Sequence, residues 1–145
     1  MQRLSYDLVQ ALDQVVSIHV VKWGHSQRFL PFFVTIALTR SLLFSVTHDL
    51  YVIHVGDVLL APLGLLLKHL LNVPVVVTAH GLDVTFDKGS YQWIIRKSLP
   101  RLDHVICISR QAQQECLVRG VTDEKSSVIP VGINPKRFFP PDQSI

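Results

Sequence analysis

The sequence predicts an α/β fold, a parallel sheet with helices on both faces. Three observations carry this. Short β-branched runs alternate with apolar runs of helical period, the pattern of strands joined by crossover helices. The run Val75, Val76, Val77 has the unbroken apolar character of a strand covered on both sides. The third observation is how such runs end. PVVVTAHGLDVTF, residues 74–86, passes from valines straight into Thr78, His80, Gly81 and Asp83, as strands do where they enter a ligand-binding edge.

Each element has its own signal. Leu4, Leu8, Val9 and Leu12 recur at helical spacing and predict an amphipathic helix over 4–13. VVSIHVVKW (15–23) is β-branched and predicts a strand. Residues 30–46 read as a helix and DLYVIHV (49–55) as a strand. VLLAPLGLLLKHLL (58–71) reads as a helix that Asp57 caps and that Pro62 makes start late. VPVVVTA (73–79) is the next strand, followed by a loop over 80–89. Ser90 caps a helix running to Leu99, where Pro100 ends or kinks it. DHVICIS (103–109) is a strand, and Ser109 caps a helix that stops at Gly120. A last short strand covers 127–131, and a Pro-rich tail follows.

The 145 residues fit one domain. At 48% hydrophobic and 17% charged residues, the chain can bury a sizeable core and is not a disordered one. The net charge is +3 with no run of Lys and Arg, so no nucleic-acid groove is expected. A weak preference for phosphates or lipid head groups remains open. Cys107 and Cys116 form no C-x-x-C pair and have no zinc-spaced partners; Cys107 reads as a buried thiol suited to a reducing cytosol. MQRLSYDLVQALDQ carries charges throughout and is no signal peptide. The stretch 29–46 is the best membrane candidate. Arg40 interrupts it, and the uncharged part from Phe29 to Thr39 falls short of the roughly 20 residues a span needs, so a core or surface-docked helix is expected.

Several chemistries lack their motifs. There is no G-x-G-x-x-G after a strand, no P-loop, no nucleophile elbow and no H-E-x-x-H. No metal and no cofactor is therefore expected. In an open parallel sheet, ligands bind beyond the carboxyl ends of the strands. Those ends carry His54, Gly56 and Asp57, then His80, Gly81 and Asp83, then Ser109, then Gly132 and Asn134. His80 either satisfies a backbone carbonyl or meets a ligand, and Gly81 beside it lets a ligand approach the backbone. His54 admits both readings. Asp57 reads as a cap, Asp83 as a turn residue or a ligand contact, and Ser109 first as a cap.

DLYVIHVGD, VPVVVTAHGLDVTF, LDHVICIS and SSVIPVGINPKRFFP occur in the order and spacing of the amino-terminal domain of family 4 glycosyltransferases, which the chain resembles over nearly its whole length. The resemblance implies a Rossmann-like domain, the amino-terminal half of a GT-B architecture. It implies transfer of a sugar from a nucleotide-sugar donor, with retention at the anomeric carbon, to a glycan or lipid-linked acceptor. The amino-terminal domain shapes the acceptor side. His80 then faces the cleft as the catalytic-site residue, with His54, Gly81, Asp83 and Ser109 as substrate-binding residues. Residues 1–132 form the domain and 133–145 a linker toward a carboxyl-terminal domain that this chain lacks.

Two departures shape the expectations. The paired-glutamate motif of that second domain has seven residues between its members; Glu115 and Glu124 have eight and lie in the wrong domain. The family also opens with a strand and a Gly-rich turn, whereas this chain starts on the first helix. The chain is thus expected to be a fragment, a split subunit or a shortened gene product, inactive alone. Helix 4–13 should then be the least firmly held element, with Leu4, Leu8 and Leu12 exposed. A separate carboxyl-terminal chain and a membrane surface are the further expected partners, in a cytoplasmic protein peripheral to the inner membrane face. The rival reading is a non-catalytic binding subunit that works with a donor-binding chain.

Overall fold

The computed structural model describes residues 2–22, 30–85 and 89–132. Among these, helices α1 (Gln2–Leu12) and α2 (Leu30–Thr47) precede strand β1 (Ile53–Val55). Then follow α3 (Ala61–Leu71), β2 (Val75–Ala79), α4 (Leu82–Thr85), α5 (Gly89–Ser98), β3 (His104–Cys107), α6 (Arg110–Val118) and β4 (Ser126–Val128). The strands pair in parallel in the order β1-β2-β3-β4. This is the expected Rossmann-like class, a parallel sheet flanked by helices.

Register sorts the strand residues into two faces, because side chains alternate. Val55, Val77 and Val105 are in register, and Ala79 is in register with Cys107. Together with Val75 these side chains are buried, and they pack against Ala61 of α3, Ile95 of α5, and Ala112 and Cys116 of α6. Burying each valine stabilises the fold by roughly 1.5–3 kcal/mol. The other face carries His54, Val76 and His104 in one row and Thr78, Ile106 and Ser127 in the next. Two polar cross-strand pairs lie there, His54 with Thr78 and His104 with Ser127, each at 2.8 Å.

Most helix ends follow their sequence signals; Ser90, expected as a cap, instead lies inside α5, which begins at Gly89. Asp57 Oδ1 accepts from the N–H of Leu59 at 2.8 Å, capping a 3-10 turn (Val58–Leu60) that leads into α3. Pro62 sits in the first turn of α3, where its missing N–H costs nothing. Asn72 ends α3 in the left-handed region at φ 53°. Gly64 lets α3 lie close on the sheet: a Cβ there would come within 3.0 Å of Val55 Cγ2 and 3.1 Å of Val75 Cγ1. Ser109 Oγ accepts from the N–H of Ala112 at 3.1 Å and so caps α6. Pro100 does not break α5 sharply; the chain continues as a 3-10 turn over Leu99–Arg101.

Three expectations are corrected. Residues 80–89 are not all loop, because α4 forms there around the carbonyl of Gly81, which accepts from the N–H groups of Val84 and Thr85. The last strand is shifted to Ser126–Val128. Ile129 still donates to the carbonyl of Cys107, and Pro130 then has no N–H to carry the ladder on. The stretch 15–23 forms no strand over its described part: a turn over 13–15 gives way to irregular chain through residue 22, with Trp23 outside the described residues. A strand needs a hydrogen-bonded neighbour, and this segment packs on α2 instead. The His19 ring stacks on Phe44 at 4.2 Å, and Val21 joins Phe33 and Ala37 in a small cluster with Leu63 and Leu67 of α3. The 15–22 stretch therefore does not pair with β1.

None of the described side chains of helix α1, residues 6–12, is fully buried. Leu12 is exposed and Leu8 half-buried, while the Leu4 side chain lies outside the described ones. The proposed linker, 133–145, also lies outside the described residues.

Candidate functional site

Parallel pairing places the carboxyl ends of all four strands along one edge. His54 is the penultimate residue of β1, His80 follows Ala79 at the end of β2, and Ser109 comes two residues after the end of β3. The N–H of Ile108 donates to the carbonyl of Ala79 at 3.2 Å, which ties the last two ends together. Gly132 is exposed beyond β4, and Asn134 lies outside the described residues.

His80 is hung across the gap between β1 and β2. Its Nε2 lies 3.1 Å from the carbonyl oxygen of Gly56. A carbonyl only accepts, so Nε2 carries the proton and Nδ1 of the neutral ring keeps its lone pair. Its backbone N–H donates to Asp83 Oδ1 at 2.9 Å. The ring is thus fixed from both ends.

Asp83 does the fixing. Oδ1 also accepts from its neighbour Val84 N–H at 2.9 Å, and Oδ2 takes the N–H of Val58 at 3.4 Å. The carboxylate therefore joins the β2–α4 turn to the turn after β1. Burial raises its pKa, the Asp57 charge adds to this, and the two backbone donors and His80 partly offset it. Its carbonyl accepts from the Tyr91 hydroxyl, whose own pKa is raised by burial and then by Asp83 and Asp57. Of the two readings the sequence left open for Asp83, the turn-holding one is the geometry observed.

His54 Nε2 is paired with Thr78 Oγ1 at 2.8 Å. Burial of the ring lowers its pKa, and the neighbouring His80 lowers it further. Water reaches part of the residue and screens the effect. Both effects favour the neutral imidazole. Gly81 adopts φ +87°, and a Cβ there would meet only Ala112 Cβ, at 3.8 Å. Its backbone is therefore approachable, and its conformation is one that L side chains avoid. Ser109 is the α6 cap, with its oxygen committed to Ala112.

Thr78 and Gly56, which the sequence placed at strand ends without assigning them a site role, and Tyr91, which it did not single out, complete the arrangement. Thr78 offered a signal, since a polar residue in a valine strand needs a partner. Tyr91 offered none, because an aromatic on a helix reads as core. Among the described residues no three His, Cys, Asp or Glu side chains converge as a metal site would require. Cys107 and Cys116 are buried free thiols 4.0 Å apart, beneath the edge. Among the described residues no helix is long and apolar enough to cross a membrane.

The fold is a Rossmann-like α/β domain, a parallel sheet with His, Gly and Asp gathered at one carboxyl edge. The chain belongs to glycosyltransferase family 4, whose family model matches residues 3–137, and it corresponds to the amino-terminal domain. Among solved structures it is similar to Anabaena Alr3699/HepE in complex with UDP-glucose, at 17% identity and a TM-score of 0.61, over 90% of this chain and 35% of that one. The complex of the same protein with UDP and glucose gives 16% identity and a TM-score of 0.60 over the same shares. The complex with UDP gives 17% and 0.58, over 72% of this chain and 28% of that one. The chain thus spans about a third of the length of these structures. At this identity they establish the fold. No curated protein matches the chain significantly.

Proposed function

We propose that this chain is the acceptor-side half of a retaining glycosyltransferase that moves a sugar from a nucleotide-sugar donor to a glycan or lipid-linked acceptor. The observation that carries the reading is His80: its ring is pinned through Nε2 to Gly56 at the sheet's carboxyl edge, beside the open backbone of Gly81. Nδ1 is left to meet a sugar hydroxyl or to steady charge as the transition state develops. His80 is not a nucleophile in this account. Residues 1–132 form the domain, 133–145 lead away from it, and a second domain or separate chain holds the nucleotide. The UDP-glucose bound by Anabaena HepE supports such a donor. In the transfer, the bond from the anomeric carbon to the phosphate oxygen breaks and one to the acceptor oxygen forms. The acceptor proton leaves with the nucleoside diphosphate. His54, Gly81, Asp83 and Ser109 shape the site around His80, with Asp83 acting through its hold on the His80 backbone. The protein works in the cytoplasm, peripheral to the inner membrane face.

The test uses the chain purified with its copurifying partners, a panel of labelled nucleotide sugars including UDP-glucose, and the chain alone as control. Label passing into a glycan or lipid-extractable product, with the donor's anomeric configuration and only from the assembly, is the expected result. An inverted product overturns the retaining mechanism. No transfer from any donor leaves the non-catalytic binding subunit as the better reading.

A further inference from the structure

Arg119 is a buried charge that the sugar-transfer reading leaves unused. It closes α6, and its side chain is only 10% exposed. A guanidinium in such a place needs partners, because burying an unpaired charge is costly. Among the described residues three acceptors meet it. Nη1 donates to Glu115 Oε2 at 2.6 Å and to the Glu115 carbonyl at 2.8 Å, one turn back on α6. Nε donates to Gln92 Oε1 on α5 at 2.8 Å.

That last bond sets a polarity. A guanidinium has only donors, so the Gln92 amide must turn its oxygen toward Arg119. Its NH2 group is then directed the other way and donates to the Val84 carbonyl of α4 at 2.9 Å. The preceding residue of α5, Tyr91, donates its hydroxyl to the adjacent carbonyl of Asp83. Two consecutive side chains of α5 thus grip two consecutive carbonyls of α4. A helix of four residues has no stability of its own, so contacts of this kind set its place. That place matters because Asp83 lies in α4, and its carboxylate accepts from the backbone N–H of His80 at 2.9 Å. The Arg119 charge is also felt at Tyr91, where it opposes the rise in pKa caused by burial and then by Asp83 and Asp57.

We propose that Gln92 and Arg119 are positioning residues for His80. Glu115 fixes Arg119, Arg119 orients the Gln92 amide, Gln92 with Tyr91 holds α4, and Asp83 on α4 holds the His80 backbone. The end of α6 is thereby coupled to the strand-end site. This role rests on His80 as the sugar-contacting residue of the function proposed above, yet the hold on the His80 backbone is measurable without sugar transfer. The Lys68–Asp103 pair, at 2.8 Å, offers a contrast. It too is tied to backbone, Lys68 donating to the Arg101 carbonyl and Asp103 accepting from the N–H of Val75. It lies at the amino ends of β2 and β3, away from His80.

The experiment is hydrogen exchange of the His80 amide in the full chain, followed by NMR, for the parent and for Gln92→Glu. Glutamate has the shape of glutamine and pairs with Arg119 more strongly, but it has no N–H for the Val84 carbonyl. The His80 amide should exchange about tenfold or more faster relative to that of Val77, inside β2, than it does in the parent. Lys68→Met, which breaks the contrasting ion pair, should lower the urea midpoint and leave that ratio unchanged. In the assembly with the donor-binding half, Gln92→Glu should lower kcat about tenfold and keep KM near the parent value, as expected when a group that acts in the transition state is misplaced. Should Gln92→Glu not fold, Tyr91→Phe, which loses only the hydroxyl on the Asp83 carbonyl, takes its place with the same expectations. A parent-like exchange ratio in the folded variant overturns the proposal, and so does an equal rise in Lys68→Met. Faster exchange with unchanged turnover overturns it as well. If the parent assembly transfers no sugar, the sugar-transfer reading fails on its own, and the exchange ratio still decides the hold on His80.

Discussion

The imidazole of His80 is tied by Nε2 to the carbonyl oxygen of Gly56, 3.1 Å away, so the histidine that ends β2 is held by the turn that ends β1. The bond fixes the tautomer as well as the ring position. In the neutral ring the proton belongs on Nε2. Nitrogen-15 NMR of the imidazoles should show a protonated Nε2 and a bare Nδ1 for His80. The reverse pattern would mean that Nε2 is not donating to Gly56 and that the ring is held in another way.

His54 is expected to make the stability of the fold depend on pH. Its folded pKa is lowered, by burial first and by His80 second, from the ordinary value of 6.5. The unfolded chain then binds the proton more readily. The stability this histidine contributes is complete above about 6.5 and is lost as pH falls through the lower folded value. His54→Gln keeps a neutral polar side chain facing Thr78 and removes the titration. Urea midpoints at pH 7.5 and 5.5 should therefore fall further for the parent than for the variant. Asp83, whose shift has the opposite sign, is common to both and cancels. Equal falls would contradict the assignment.

Gly64 tests how tightly α3 sits on the sheet. Alanine there gains about 1 kcal/mol of helix propensity. Its Cβ, however, would press within 3.0–3.1 Å of two valine methyls buried in the core. Overpacking of that kind costs about 1–3 kcal/mol. The net expectation is a loss of about 1 kcal/mol for Gly64→Ala. Gly89→Ala, with nothing within 4 Å of the new Cβ, should be tolerated. A stabilised Gly64→Ala would mean that α3 stands off the sheet.

Helix α1 should open first. It has 11 residues, below the length at which an isolated helix holds in water, and its described side chains, 6–12, are mostly exposed. Hydrogen exchange of its amides should run on the order of a hundredfold or more faster than that of Val75–Ala79. Equal protection in a monomer would show that α1 packs firmly on the domain.

The contrast between β2 and the 15–23 stretch shows what a sequence can and cannot reveal. Val75, Val76 and Val77 announce a buried strand because burial is a property of the side chains themselves. VVSIHVV has the same β-branched character, yet a strand also needs a partner, and which backbone lies alongside is not written in the segment. Gly81 and His80 were legible as the end of the strand because glycine breaks a β-branched apolar run, and Gly81 does turn the chain there at φ +87°. Asp83 was legible only as ambiguous. Its role rests on the N–H of Val58, 25 residues away in sequence, and appears only once β1 and β2 lie side by side. The four-residue α4 escaped for the same reason, being organised by the Gly81 carbonyl and the Asp83 carboxylate rather than by any apolar period.

The central claim is that His80 meets the transferred sugar, and it is tested most directly by the turnover of His80→Ala in the assembly of this chain with its donor-binding half. His104→Ala is the control, since His104 opens β3 away from the carboxyl edge and bonds only Ser127 among the described residues. The account predicts that His80→Ala loses about a hundredfold or more in kcat, the scale of removing one group that stabilises developing charge. Folding should be unchanged, and His104→Ala should remain near the parent rate. A His80→Ala protein that is folded and transfers sugar at the parent rate would contradict the account.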